Sequence, residues 1–492
     1  MMYKIYTLAV ALLSATALFS APVDLKTKEL YNKTAFITSQ CYTKTVDKNG
    51  NKHNPCYSCH IKSKVPNYMS DEDLQESYSL PEYATKNRWI NLFKDRSEQV
   101  AKMSDEKILK YIKQDNYKDV NGDIIISTKL KNLPKKWDYN NNNRWDGYIP
   151  DCKYNFDKEG FDRNKYGSLT GWRAFKYRPF LGTFWPTNGS TDDVLIRLPK
   201  LFWTNTDGKI DLSIYKKNLS IVEDILKQTK NHSTYEGAAK NQKIALGLYP
   251  VGTEFLHSVR YIEPTKNGIT LSPRMKELRY AKKLRWANYY EHQALSDEEF
   301  KENHDFPDRY SIYLGDMEKG INNKRGWVYQ GFIEDSNGDL RPQNYEETLY
   351  CIGCHAGIGA ISDSTFAFGR KFAWGYWDKH GLKGVSDKNS EYLNYLINNN
   401  HANEFRTNHE VYDKFFEHNS LKKNEARKIK NDISYLLNPS KNRAINLDKA
   451  YKVIVDEQSF IYGRDAHIKP LTNVYDEVEQ DKSTKLTIIK KH

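Results

Sequence analysis

The chain has 492 residues, 39% hydrophobic and 28% charged, which is enough apolar material for real cores and too much for a disordered protein. Its mean hydropathy of −0.79 excludes a polytopic membrane protein, and only 6 cysteines exclude a disulfide-dense small scaffold. Lys and Arg outnumber Asp and Glu by 75 to 63, a formal charge of +12, but Lys, Asn, Tyr and Ile are abundant together, as an AT-rich coding bias gives, so cysteine spacing is the stronger signal.

Residues 1–21 read as an export signal, with Lys4 as the charged start, an apolar run over 5–19, and small residues at Ser20 and Ala21. The run is shorter than the roughly 20 residues of a membrane span. Cleavage after Ala17 or Ala21 predicts a periplasmic chain, where disulfides are permitted. No cysteine precedes Cys41, so no lipid-attachment cysteine follows the apolar run. Residues 22–135 read as a helical domain, with helix starts signalled at Ser70 and at Ser104, each followed by acidic residues. This stretch contains Cys56-Tyr57-Ser58-Cys59-His60.

A large middle region over 136–340 follows. Its first part is rich in loop chemistry, and a strand is expected at 194–198. Helices are expected at 221–229 and at 273–294, the latter with a basic face, and Ser296-Asp297-Glu298-Glu299 reads as a capping box that opens another. The last region, 341–492, holds Cys351-Ile352-Gly353-Cys354-His355 and helical segments at 391–398, 411–418 and 424–437. No repeat of 20 to 50 residues stands out. The expected fold class is mainly α, with much irregular loop, a minor β component, and two haem-binding segments flanking the middle region.

The two C-x-x-C-H motifs carry the chemistry. Thiols three positions apart reach the two vinyl groups of one haem, and the adjacent His ligates the iron from below. Two complete copies in an exported chain predict two covalently attached c-type haems, anchored by Cys56, Cys59, Cys351 and Cys354 and ligated by His60 and His355. A redox C-x-x-C or half a zinc site is the plainer alternative. Cys41 and Cys152 remain, and an oxidising compartment suggests a disulfide between them, worth about 4 to 5 kcal/mol in the chain-entropy model; the alternative is that one of them is a thiolate axial ligand to a haem iron.

The sixth iron ligand decides what a haem does. Met103, just before the helix signalled at Ser104, is the first candidate for the first haem, with Met69 and His53 as competitors. For the second haem, His257, His380 and Met317 stay open. Arg173 and Arg178 lie in a stretch dense in Arg and rings and suit haem propionates, although Arg stacked on aromatic rings is the plainer reading. Four Asp/Asn-rich turns begin at Asp119, Asp138, Asn205 and Asp335. The second suits Ca2+ best, through Asp138, Asn140, Asn142 and Asp146, yet none has a terminal Glu in the EF-hand position, and plain turns explain such sequences as well.

At these motifs the chain resembles di-haem c-type cytochromes, among them bacterial di-haem cytochrome c peroxidases and the larger di-haem rubber oxygenases. The resemblance implies haem attachment and axial ligation at the six motif residues and nothing more. The function expected from it is electron transfer in the periplasm. The alternative is a haem redox enzyme with one open iron and one relay haem, acting on peroxide, O2 or a small substrate. Periplasmic redox proteins, steered by a Lys-rich surface if acidic, are the expected partners. Nucleic acid is excluded by compartment, and no membrane span is expected in the mature chain.

Overall fold

The computed structural model describes residues 23–26, 29–43, 45–46, 52–53, 56, 59–69, 72–77, 79–180, 189–376, 381–398, 409–418, 420–480 and 482–485. The expected signal at 1–21 and the candidate ligand His380 lie outside them.

Period-two alternation over long apolar strands builds the centre of the molecule. Ala174, Leu195 and Leu256 point into one core, while their neighbours Phe175, Val194, Ile196 and Phe255 point into another. A strand with apolar side chains on both faces must be covered on both faces. The result is a ten-stranded antiparallel sheet. Its strands are β1 (Phe161–Arg163), β2 (Leu169–Tyr177), β3 (Thr191–Arg197), β4 (Glu254–Thr265), β5 (Gly268–Lys283), β6 (Gly315–Asp316), β7 (Gly320–Asn322), β8 (Trp327–Glu334), β9 (Leu340–Pro342) and β10 (Lys371–Trp374). The order is β10-β2-β3-β4-β5-β8-β7-β6, with β1 added on β2 and β9 on β8. The longest hairpin, β4 to β5, turns at Thr265 and Gly268.

Eleven helices are described: α1 (Ser97–Lys102), α2 (Asp105–Ile112), α3 (Ile125–Lys131), α4 (Leu212–Lys227), α5 (Tyr289–Asp305), α6 (Tyr345–Cys354), α7 (Glu391–Asn398), α8 (His409–Phe415), α9 (Lys423–Lys428), α10 (Ser434–Leu437) and α11 (Lys441–Glu457). One face of the sheet buries α4, α6 and the segment around Trp89, and the other buries α3, Trp137 and Trp145. Helices α2 and α11 pack over Tyr261 and Ile333 at the far end of the β4 and β8 strands. A separate apolar cluster joins α7 to α10. Asp211 caps α4 by accepting the N–H of Ser213 at 2.8 Å, and Asn288 with Glu291 forms a capping box on α5.

The fold therefore differs from the expected, mainly α, class. The strand expected at 194–198 falls in β3, the helix expected at 391–398 is α7, and the helix expected at 221–229 is the last part of α4, which starts at Leu212 and ends at Lys227. Residues 268–283, however, are a strand and not the start of a basic helix. Arg274, Lys276, Glu277 and Arg279 looked like a solvated helix face, but the fold buries them and pairs them. Arg274 meets Glu334 at 2.5 Å, and Glu277 meets Arg279 at 2.9 Å and Arg464 at 2.7 Å. Ser296 lies inside α5 and does not open a helix. The strands run from residue 161 to residue 374, so the sheet crosses the boundary expected at 340.

Candidate functional site

Helix α6 presents the second motif. Asn344 and Glu347 form its capping box, and Arg341 holds Glu347 through two bonds of 2.8 Å. This clamp fixes the helix start, and one helical turn places Cys351 and Cys354 on the same face. His355 ends the helix, its N–H donating to the Cys351 carbonyl at 3.0 Å.

The His355 ring is built like a metal-ligand imidazole. Its Nδ1 lies 3.1 Å from the Thr365 carbonyl, which can only accept, so Nδ1 carries the proton and Nε2 keeps its lone pair. The ring stacks on Tyr329 at 5.1 Å between centroids. Burial pushes the imidazole down to about 4, opposed by the Thr365 bond, so the ring is neutral at pH 7.

The first motif folds against the segment that follows the second. The Cys59 carbonyl accepts the Ala360 N–H at 3.0 Å, and Met69 bridges Ile358 in parallel. The Ser364 N–H donates to Asn67 Oδ1 at 3.2 Å, and Gln75 Nε2 donates to the His60 carbonyl at 2.6 Å. Gly359 is required at this seam, because a Cβ there would meet the Ile61 carbonyl oxygen at 2.7 Å. Two motifs about 300 residues apart thus share one locus. Cys354, Cys59 and Cys41 lie close enough to sense one another's charge. Burial pushes the Cys59 thiol up to about 12, with the Cys41 charge adding to it, and burial raises Cys41, Cys351 and Cys354 as well.

Two hollows meet here. A chamber of about 110 Å³ is lined by Cys351, Cys354, His355, His257, Arg279 and Phe366. A cleft of about 610 Å³ runs past residues 61–67 and Arg178. They share Phe180, Ile361 and Ala367 as walls. His257 Nε2 lies 2.8 Å from Asp192 Oδ2, which is buried.

The other candidates are distributed differently. Met103 caps the end of α1 and packs beside Ile108 in a cluster that contains neither motif. Met69 sits at the seam, its sulfur 3.4 Å from Arg325. His53 lies in a short hairpin strand, and Met317 is buried on the opposite face of the sheet. Arg178 lines the large cleft with its Nε buried and unpartnered, while Arg173 stacks on Phe161 at 4.4 Å and on Trp374 at 3.9 Å. The structure does not join Cys41 to Cys152. Cys152 is in the core with Tyr117 and Trp172, and Cys41 packs against the core on the other face. The turns at Asp119, Asn205 and Asp335 are closed by their own N–H groups, whereas Asp138, Asn140, Asn142 and Asp146 converge in one loop. Among the described residues, no group of three or more His, Cys, Asp or Glu side chains stands ready to hold a metal ion. No helix among them is long and apolar enough to cross a membrane.

A lipoprotein family model matches residues 25–418. The chain belongs to this family. An uncharacterized lipoprotein of Aquifex aeolicus (strain VF5) is 33% identical over 517 aligned residues, covering 91% of this chain and 88% of that one. No solved structure matches. Membership places the protein among exported, cell-envelope proteins. It also overturns the expected kinship with di-haem cytochrome c peroxidases and rubber oxygenases. The motif match covered a handful of residues, and the family match covers most of the chain. With that kinship goes the expected assignment as a periplasmic electron-transfer cytochrome, and equally as a peroxidase- or oxygenase-like haem enzyme.

Thr365, Tyr329 and the 357–364 segment were not identified from sequence. Thr365 and that segment lie just after the second motif, whereas Tyr329, well before it, carries no local signal.

Proposed function

We propose that this exported envelope protein holds covalently attached prosthetic groups where its two C-x-x-C-H segments meet, and that the groups are c-type haems. The observation that carries the reading is the convergence itself: the Cys59 carbonyl is hydrogen-bonded five residues past His355. The donor set fits. His355 offers a neutral imidazole with its Nε2 lone pair available, and its second nitrogen is fixed by a main-chain carbonyl. Arg178 brings a buried, unpartnered Nε to the cleft, suited to a propionate. The chamber beside His355 shares Phe180, Ile361 and Ala367 with the larger cleft as walls. A haem bound there would supply a redox-active iron. Cys56 and Cys59 with His60 would hold one group and Cys351 and Cys354 with His355 the other, and Tyr177, Phe255 and Phe366 would exclude water beside His355.

The raised thiols argue against a thiol-redox centre, because the thiolate is the reactive species and burial suppresses it here. For location, we propose a periplasmic chain released by signal cleavage, since lipid attachment needs a cysteine after the apolar run and the first cysteine is Cys41.

The test is intact mass and an alkaline pyridine absorption spectrum of protein exported in a host that attaches haem c. Two haem additions are expected, one lost in Cys56→Ser/Cys59→Ser and one in Cys351→Ser/Cys354→Ser. An unmodified mass with alkylatable motif thiols overturns the proposal. Detergent-free release of the protein with the soluble envelope fraction checks the location, and retention with lipid overturns it.

A further inference from the structure

We propose that the loop from Asp138 to Asp146, closed by Glu318, is a Ca2+ site. Asp138, Asn140, Asn142 and Asp146 occupy the first, third, fifth and ninth positions of an oxygen-ligand loop, with the Arg144 carbonyl at the seventh. What the sequence lacks is the acidic residue at position twelve. The fold supplies one from far along the chain, in the turn between β6 and β7.

Glu318 is 1% exposed. Its Oε1 accepts the Asp146 N–H, which aims the carboxylate at the loop. Its Oε2 is buried with no hydrogen-bond partner. Gly147 allows this approach, since a Cβ there would run into the Glu318 carbonyl oxygen. Asp138 is also buried, its two oxygens accepting the N–H groups of Asn142 and Asn143 at 3.0 Å each. The side-chain amides of Asn140 and Asn142 donate to Asp146 Oδ2 at 3.1 and 2.9 Å, and a half-turn of each amide presents an oxygen in place of the nitrogen.

The charges need a cation. Asp146 lies against Glu318 through its N–H, and Asp316 accepts the Glu318 N–H at 2.8 Å, so three acidic side chains crowd one spot. Nearby side-chain cations are Arg144, on Asp146 Oδ1 at 2.6 Å and largely exposed, and Lys26, on Asn141 Oδ1 at 3.4 Å and not on a carboxylate. A buried carboxylate oxygen without a partner is unfavourable. Asp138, Asp146 and Glu318 do not by themselves gather into a ready metal-binding group; the ligand set closes only with amide and main-chain oxygens, the mixture that Ca2+ accepts and Zn2+ does not.

The test uses the full chain stripped with chelator. Tb3+ emission excited through Trp145, inside the loop, should saturate at one ion per chain and be displaced by Ca2+. Ca2+ should raise the thermal midpoint, with Mg2+ much less effective. Glu318→Gln and Asp146→Asn should each weaken Ca2+ by roughly tenfold or more while keeping the far-UV circular dichroism of the parent. Asp339→Asn, in a turn of similar sequence, should bind as the parent does. Absence of saturable binding up to about 10 mM Ca2+, or parental affinity in Glu318→Gln, overturns the proposal.

Discussion

Glu277 ties three parts of the molecule together, and replacing it tests how the buried charges of β5 are held. Its Oε2 accepts from Arg279 Nε at 2.9 Å, from Arg464 Nη1 at 2.7 Å and from Gln343 Nε2 at 3.2 Å. Arg464 in turn donates to the Glu347 carbonyl of α6. Burial alone would raise the Glu277 carboxyl, but the two guanidinium groups overcome it and bring it down to about 2. An unfolded Glu titrates near 4.3, so the shift corresponds to about 3 kcal/mol of stability. The native value is depressed, so this contribution is fully present above the unfolded value and is lost as pH falls through about 2. Glu277→Gln keeps the shape and removes the buried charge on which Arg279 and Arg464 converge. Urea unfolding at pH 7 should show a loss of about 3 to 5 kcal/mol, the range for breaking a buried pair from one side. At about pH 3 the unfolded carboxyl is already protonated, and the difference between the chains should shrink by roughly 2 kcal/mol. An equal loss at both pH values, or a loss under about 1 kcal/mol at pH 7, would refute the reasoning.

Asp363→Asn should cost about 3 kcal/mol at neutral pH, because the Lys283 ammonium, His292 Nε2 at 3.0 Å and the Tyr249 N–H at 3.0 Å all rest on that buried carboxylate. Burial lowers the Lys283 amine and Asp363 raises it, so without Asp363 the amine falls further, and the deficit in urea unfolding should narrow as pH is raised from about 6 to about 9; a pH-independent deficit would sink this. Leu256→Ala, at a fully buried position on the central strand β4, should cost about 3 kcal/mol in the same assay, and a cost under about 1 kcal/mol would mean that this core collapses around the cavity. Alkylation of denatured, unreduced protein should label both Cys41 and Cys152, and a peptide pair joined through the two would show that they are bonded after all.

The motifs were legible because their chemistry is local. Cys351, Cys354 and His355 are adjacent in sequence, and one helical turn does the rest. The capping of α2 by Ser104 is legible for the same reason. The sheet was not. Strands buried on both faces carry no simple alternation of polar and apolar residues, and β5 adds charges whose partners, Glu334 and Arg464, lie far away in the chain. A buried Lys or Arg has no local signature, so Lys276 and Arg279 were indistinguishable from a solvated helix face. The start of α5 is a different failure: Asn288 with Glu291 three residues on is a capping box as plain as the one at Ser296, and only tertiary packing chose between them.

The same distinction explains why so long a chain surrounds so small a locus. The second motif is held from behind by Arg341, Glu347, Arg464 and Glu277, which belong to β9, α6, the C-terminal segment and β5. The described part of the first motif and the residues after it take their place from hydrogen bonds to residues 360–364, through the Cys59 carbonyl and the Asn67 side chain. One half of the locus is therefore positioned by the sheet and the other by that half. A pair of motifs needs few residues to bond a ligand, but holding Cys59 beside Cys354 requires a rigid body between residues 60 and 351. The middle of the chain, which carries no C-x-x-C-H motif, is that body.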